Sequence, residues 1–166
     1  MEVIFESDKI YFVKVSEKYI NDYLNMINDP DIVKFISHNP DRRFTYEQEV
    51  EWVNEKLKNN NIVFSMIEKG TNKFIGNIEI MRIENSVGYL GISITKSMQN
   101  KHYGNEGIKA FINYILGHYN LENVALEVFS NNQRAIHCYE NVGFEIIDGP
   151  SDEKEYKMIY NKQINK

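Results

Sequence analysis

Two segments carry residues whose types and spacing could do chemistry. The first runs Ile92-Ser93-Ile94-Thr95-Lys96-Ser97-Met98-Gln99-Asn100-Lys101-His102-Tyr103-Gly104-Asn105-Glu106-Gly107 and reads as a strand, a polar turn and a helix start. Such a turn aims several backbone N–H groups into one hollow, where the helix dipole adds positive potential, so a phosphate or pyrophosphate would bind well. Lys101 adds a formal charge. An ordinary strand-to-helix connection has the same pattern, and the residue types alone leave both readings open. The sequence contains neither G-x-G-x-x-G nor G-x-x-x-x-G-K-[ST], so NAD and ATP lose their usual support. The second segment is Ser130 to Phe144. Asn132 is a plausible helix N-cap whose side chain could also reach a ligand. Tyr139 follows seven residues later, close to two turns, and shares its face. A tyrosine there could equally be core, so a functional reading needs the two segments to act on one ligand.

Other groups are candidates on weaker grounds. By the period of two, Glu79 shares a strand face with Ile75, Asn77, Met81 and Ile83. A carboxylate on an otherwise apolar face can have a raised pKa and act as a base, directly or through water. A partly solvated face would make it ordinary. Glu84 is the next candidate but lies nearer a turn. The histidines at 38, 102, 118 and 137 show no metal-ligand spacing, and no metal is expected. Cys138 has no His or Asn partner in its neighbourhood and reads as a small buried residue rather than a nucleophile.

The elements that must hold these groups follow from period and punctuation. Residues 9–15 predict a first strand. Ser16 offers an N-cap for a helix bearing Tyr19, Ile20, Tyr23, Leu24 and Ile27, which Asn28-Asp29-Pro30 stops. Residues 31–37 are ambiguous between short helix and loop, and 38–43 read as loop. Thr45 and Gln48 form a capping box ahead of Val50, Val53 and Leu57. Strands are expected at 62–67, 74–83 and 89–94, joined by turns at 70–73 and 85–88. A helix of about four turns follows from Gly104. After it come a strand at 123–129, a short helix at 132–142 ended by Gly143, and a strand pair at 144–147 and 155–161. Residues 161–166 read as a frayed tail. Helices covering a mixed sheet, in an α/β or α+β sandwich, are the expectation.

Composition narrows the class. The chain has 166 residues, 42% hydrophobic and 26% charged, the balance of one soluble globular domain spanning 1–166. The net charge of −5 disfavours a basic nucleic-acid binder. One cysteine allows no internal disulfide and fits a reducing compartment. No apolar run approaches a membrane span, and the opening Met-Glu-Val-Ile-Phe-Glu lacks the basic start of a secretory signal. The cytoplasm is the expected location, with no membrane or nucleic-acid partner.

The two segments also match a known pattern. Gln99-x-x-His102-x-Gly104 resembles the acetyl-CoA loop of the GNAT acetyltransferase superfamily, commonly Q/R-x-x-G-x-G/A. Asn132-x-Arg134-Ala135-x-x-x-Tyr139-x-x-x-Gly143-Phe144 resembles its later motif. Asn28-Asp29-Pro30-Asp31-Ile32-Val33-Lys34-Phe35 and Gly76 are similar to the branch that acetylates ribosomal-protein N-termini. The resemblance implies a GNAT-like mixed sheet of about seven strands flanked by about four helices. It implies direct transfer of an acetyl group from acetyl-CoA to a primary amine: a protein N-terminus, a polyamine or another small amine. It implies pantetheine along the backbone of Ile92 and Ile94, and cofactor contacts from Gln99, Asn100, Lys101, His102, Tyr103, Gly104, Asn105, Asn132 and Arg134. Tyr139 becomes the acid toward the leaving thiolate, with Glu79 the candidate base. Phe35, His38, Arg42 and Phe44 become acceptor contacts, with Asp29 and Asp31 as nearby cation binders. The sequence departs from the pattern at His102, where the loop usually has glycine, and at Tyr89, where this branch often has Glu. Those departures motivate a rival, a non-catalytic acyl-CoA-binding or regulatory module on the same fold. A homodimer is an assembly the resemblance leaves open.

Overall fold

Local chemistry sets where the elements begin. Pro30 has no N–H to lose and a φ already suited to a helix, so the residue that ends one helix starts the next, with the Asp29 side chain accepting from the Asp31 N–H at 2.9 Å. Thr45 and Gln48 exchange their capping-box hydrogen bonds at 3.2 and 2.9 Å. Ser16 caps a 3₁₀ turn over Glu17–Tyr19, which leads into the first α-helix. The computed structural model describes residues 1–162, so part of the expected tail, 163–166, lies outside the described residues. Asn161 is not frayed, because its N–H donates to the Gly143 carbonyl at 2.9 Å.

In chain order the elements are β1 (Val3–Glu6), β2 (Ile10–Lys14), α1 (Ile20–Ile27), α2 (Pro30–Ile36), α3 (Tyr46–Lys58), β3 (Val63–Glu68), β4 (Phe74–Glu84), β5 (Val87–Ile94), α4 (Tyr103–His118), β6 (Asn123–Phe129), α5 (Gln133–Val142), β7 (Phe144–Asp148) and β8 (Glu155–Tyr160). The strands form one mixed sheet in the order β1-β2-β3-β4-β5-β6-β8-β7. The described residues therefore hold eight strands and five α-helices, one more of each than expected. The extra strand is β1, which pairs with β2 through a register shift between Val3 and Phe5. The extra helix is α2, too short for periodicity to declare.

The chain divides into two compact units: Met1–Glu79 with Ile92–Tyr103, and Ile80–Gly91 with the residues from Gly104 on. In the first unit, β2, β3 and the start of β4 pair antiparallel. Its core gathers Val13, Tyr19, Ile20, Tyr23, Met26, Ile32, Val53 and Phe74. Burying each large apolar side chain contributes roughly 1.5–3 kcal/mol. A polar line crosses this core: the Ser16 N–H donates to Tyr23 Oη (3.2 Å), Tyr23 donates to Ser65 Oγ (2.6 Å), and Ser65 donates to Asn77 Oδ1 (2.8 Å). Burial pushes the Tyr23 hydroxyl up to about 12, so it stays protonated and the line keeps its direction.

In the second unit, β4 and β5 turn at Asn85-Ser86, both left-handed (φ 51° and 65°), the geometry of a two-residue type I′ hairpin. Val87–Tyr89 pairs parallel with Asn123–Ala125 of β6, which requires the crossover that α4 supplies. β8 then inserts between β6 and β7, antiparallel to both. Ile108, Phe111, Ile115, Val124, Leu126, Phe144 and Met158 are buried in this unit.

Candidate active site

The first group of candidate residues occupies the end of β5 and the turn after it. A Cβ on Gly76 of β4 would lie 2.0 Å from the Ser93 carbonyl oxygen, so only glycine lets these two backbones approach so closely. The Thr95 N–H donates to the Ile75 carbonyl at 2.9 Å and holds the chain to β4 as it leaves the strand. Gln99 turns back, its Nε2 donating to the Ile94 carbonyl at 2.9 Å. Met98 is buried beneath the turn. Asn100 and His102 then take left-handed conformations, φ 63° and 67°. The position where the superfamily's loop usually has glycine is thus a left-handed one. Histidine tolerates it better than a β-branched residue would. Tyr103 is buried, and its hydroxyl donates to the Glu68 carboxylate; hydrogen bonds from Thr71 and Tyr103 hold that carboxyl below its ordinary value. The Tyr103 side chain is therefore an anchor of the turn.

Glu79 lies in this same unit, in different company from that expected. Its Oε1 is 3.4 Å from Lys56 Nζ of α3, and Asn77 sits two residues before it in β4. The face is polar at that point, not apolar. Lys56 is a residue that sequence reading misses; nothing in a spacing of 23 residues signals the pairing.

The acceptor candidates fall on α2 and the loop after it. Phe35 lies beneath Lys34 Nζ, 5.0 Å from its ring centre, and His38 is exposed. Arg42 and Phe44 come together, the guanidinium 4.5 Å over the ring, at a cavity of about 60 Å³ lined also by Ile27, Val33, Ile36 and Ser37. The two carboxylates expected to bind a cation are already engaged. Asp29 caps α2, and Asp31 pairs with Lys96 at 2.7 Å, which lowers the Asp31 pKa.

The second unit holds the remaining candidates. Asn132 is the N-cap of α5, its Oδ1 accepting from the Ala135 N–H at 3.4 Å. Arg134 is exposed. Cys138 Sγ donates to Asn105 Oδ1 of α4 at 3.2 Å, and burial pushes the thiol up. The Tyr139 ring packs edge-on against Phe144 with centroids 6.0 Å apart, and desolvation drives its hydroxyl well above the ordinary tyrosine value. That keeps the phenol protonated at every physiological pH. Gly143 (φ 121°) ends α5. Tyr89 is buried, with the Arg82 guanidinium 3.9 Å and Lys157 Nζ 5.3 Å from its ring centre. It fills its position with a cation-covered ring where the resembled branch often has a carboxylate. Among the described residues, no helix is long and apolar enough to cross a membrane.

Comparison with known proteins agrees with this architecture. The fold is similar to that of a GNAT-family acetyltransferase from Bacillus anthracis, at 19% identity and TM-score 0.78, covering 96% of this chain and 95% of that one. It is similar to spermidine N-acetyltransferase from Vibrio cholerae, solved with CoA and spermine, at 18% identity and TM-score 0.79, covering 93% and 96%. It is also similar to a ribosomal alpha-N-protein acetyltransferase solved with coenzyme A, at 12% identity and TM-score 0.77, covering 95% and 96%. No curated protein sequence matches the chain significantly. Residues 9–145 match the acetyltransferase (GNAT) domain, and the chain belongs to that family.

Proposed function

We propose that the chain is an N-acetyltransferase that moves an acetyl group from acetyl-CoA to a primary amine in one direct step. The observation that carries this reading is the turn from Ile94 to Tyr103. It bears the family's loop residues Gln99 and His102, with Gly104 next in the chain, and it is fixed by the Gln99–Ile94 and Tyr103–Glu68 hydrogen bonds with two left-handed residues between them. A turn held this way presents N–H groups to an anion without having to order on binding. In this reading the backbone of Ile92 and Ile94 takes the pantetheine arm as an added strand would. The N–H groups from Asn100 to Asn105 take the pyrophosphate, with Lys101 as the nearby charge. Asn132 Nδ2 and Arg134 add further cofactor contacts.

The chemistry asks three things of the protein. The amine must reach the thioester carbon as a free base, so its ammonium proton must leave. Glu79 is the proposed acceptor, through water, with Lys56 Nζ 3.4 Å from its Oε1. The new C–N bond forms as the C–S bond breaks, and the sulfur departs with the electron pair. Tyr139 then gives its proton to the thiolate and recovers one from solvent. Phe35, His38, Arg42 and Phe44 are the proposed acceptor wall, and the cytoplasm is the proposed location.

Acetyl-CoA binding to the folded chain alone should raise Tm. Gly104→Val, which puts a branched side chain where the backbone must approach the cofactor, should abolish most of that rise. An undiminished rise in Gly104→Val would remove the turn from the site.

A further inference from the structure

We propose that the acceptor carries a carboxylate and a small aliphatic group, and that the Arg42–Phe44 cavity selects both. This rests on the acetyltransferase reading and narrows its acceptor. The cavity is preformed. Asn28 at the end of α1 clamps Phe44 from both sides, accepting from its N–H at 2.8 Å and donating to its carbonyl at 2.9 Å. That closes the loop of residues 37–44 onto α1 and α2. Ile27, Val33, Ile36 and Phe44 give apolar walls, and the volume is about 60 Å³. That is about twice one water's share of liquid, and well below the roughly 150 Å³ that holds a benzene ring. The tip of a branched aliphatic side chain fits that volume.

Arg42 supplies a cation at the cavity. The Arg42 guanidinium is exposed and stacks on Phe44, and no carboxylate among the described residues pairs with it. Stacking covers its flat face and leaves its in-plane N–H donors for a bidentate anion. The two acids expected to draw a cation are engaged elsewhere: Asp29 on the cap of α2, Asp31 on Lys96. A polyamine would meet Arg42 as a like charge. A carboxylate would meet a fork with no other partner. That carboxylate could belong to a free aliphatic amino acid or to an acidic residue at the second place of a peptide.

The test is an acceptor panel with acetyl-CoA: valine and leucine, their amides, spermidine, and the dipeptide amides Ala-Glu and Ala-Gln. The expected result is a kcat/KM at least about tenfold higher for a carboxylate member than for its neutral counterpart, as for a hydrogen-bonded charged group. The amino-acid and dipeptide arms then tell the two sources apart. Arg42→Gln should bring that ratio near one, mainly through KM, with Arg42→Lys between the two and Tm unchanged in both. A wild-type ratio near one, spermidine as the best acceptor, or a ratio that survives Arg42→Gln would overturn the proposal while leaving acetyl transfer intact. If no amine is acetylated, N-acetylleucine is titrated and the amide signals of residues 27–44 are followed by NMR. Shifts that vanish in Arg42→Gln uphold the carboxylate site and reject the transferase; no shifts reject both.

Discussion

Gly76 and Ser93 sit closer than any side chain allows: a Cβ on Gly76 would stand 2.0 Å from the Ser93 carbonyl oxygen and 2.9 Å from Ile94 Cα. Both obstacles are backbone, so no rotamer change relieves them. Gly76→Ala should therefore force β4 and β5 apart, at a cost of roughly 2–4 kcal/mol. A Tm drop of about 5–15 °C is the corresponding shift for a domain of this size. The acetyl-CoA-dependent rise in Tm should shrink as well, since Ile92 and Ile94 move with Ser93. A melt indistinguishable from wild type would show that the strands part without penalty.

His102 bears a smaller version of the same constraint. Its φ of 67° costs a β-branched residue more than a histidine, and costs glycine nothing. His102→Gly should hold or slightly raise Tm and keep acetyl-CoA binding. His102→Val should lose roughly 1–2 kcal/mol and weaken that binding. Equal Tm and affinity in the two variants would mean that the turn does not depend on this conformation.

Glu49, on α3, is 5% exposed, and desolvation raises its carboxyl above the ordinary 4.5. A group whose folded pKa is raised contributes most below its unfolded pKa, and that contribution is lost as pH rises through the folded value. At pH 7 the buried charge thus works against the fold. Glu49→Gln should raise Tm by roughly 2–4 °C at pH 7 for each kcal/mol relieved, and the gain should fade toward pH 4. A gain that grows on acidification would reverse the sign of this account.

Tyr139→Phe keeps the ring that packs on Phe144 and deletes only the hydroxyl. If that hydroxyl protonates the leaving thiolate, kcat should fall by about 10²–10⁴ with Tm and acetyl-CoA affinity nearly unchanged. A fall below about threefold, with chemistry shown to be rate-limiting, would transfer the role to a bound water.

How much of this was legible in the sequence depended on whether the cause was local. The capping box at Thr45–Gln48, the stop at Asn28-Asp29-Pro30 and the hairpin at Asn85-Ser86 are set by neighbouring residues, and each lies where its residues predict. The left-handed φ at His102 was readable from a family pattern, not from histidine itself. Pairings across long separations left no trace. Lys56 with Glu79 and Lys96 with Asp31 give partners to two carboxylates that were offered as a base and as a cation binder. β1 escaped because Val3-Ile4-Phe5 is a short apolar run without alternation. The insertion of β8 between β6 and β7 likewise follows from which edges remain open, a property of the whole sheet.

Acetyl transfer to an amine is read by following both of its products together. Purified protein is incubated with acetyl-CoA and an amine panel; free thiol is titrated and acetylated amine is read by mass spectrometry. The account predicts one acetylated amine for each thiol released, with no acetylated protein accumulating. Acetyl-CoA that binds and raises Tm, yet gives no acetylated product with any amine, would contradict it and leave a cofactor-binding module on the same fold.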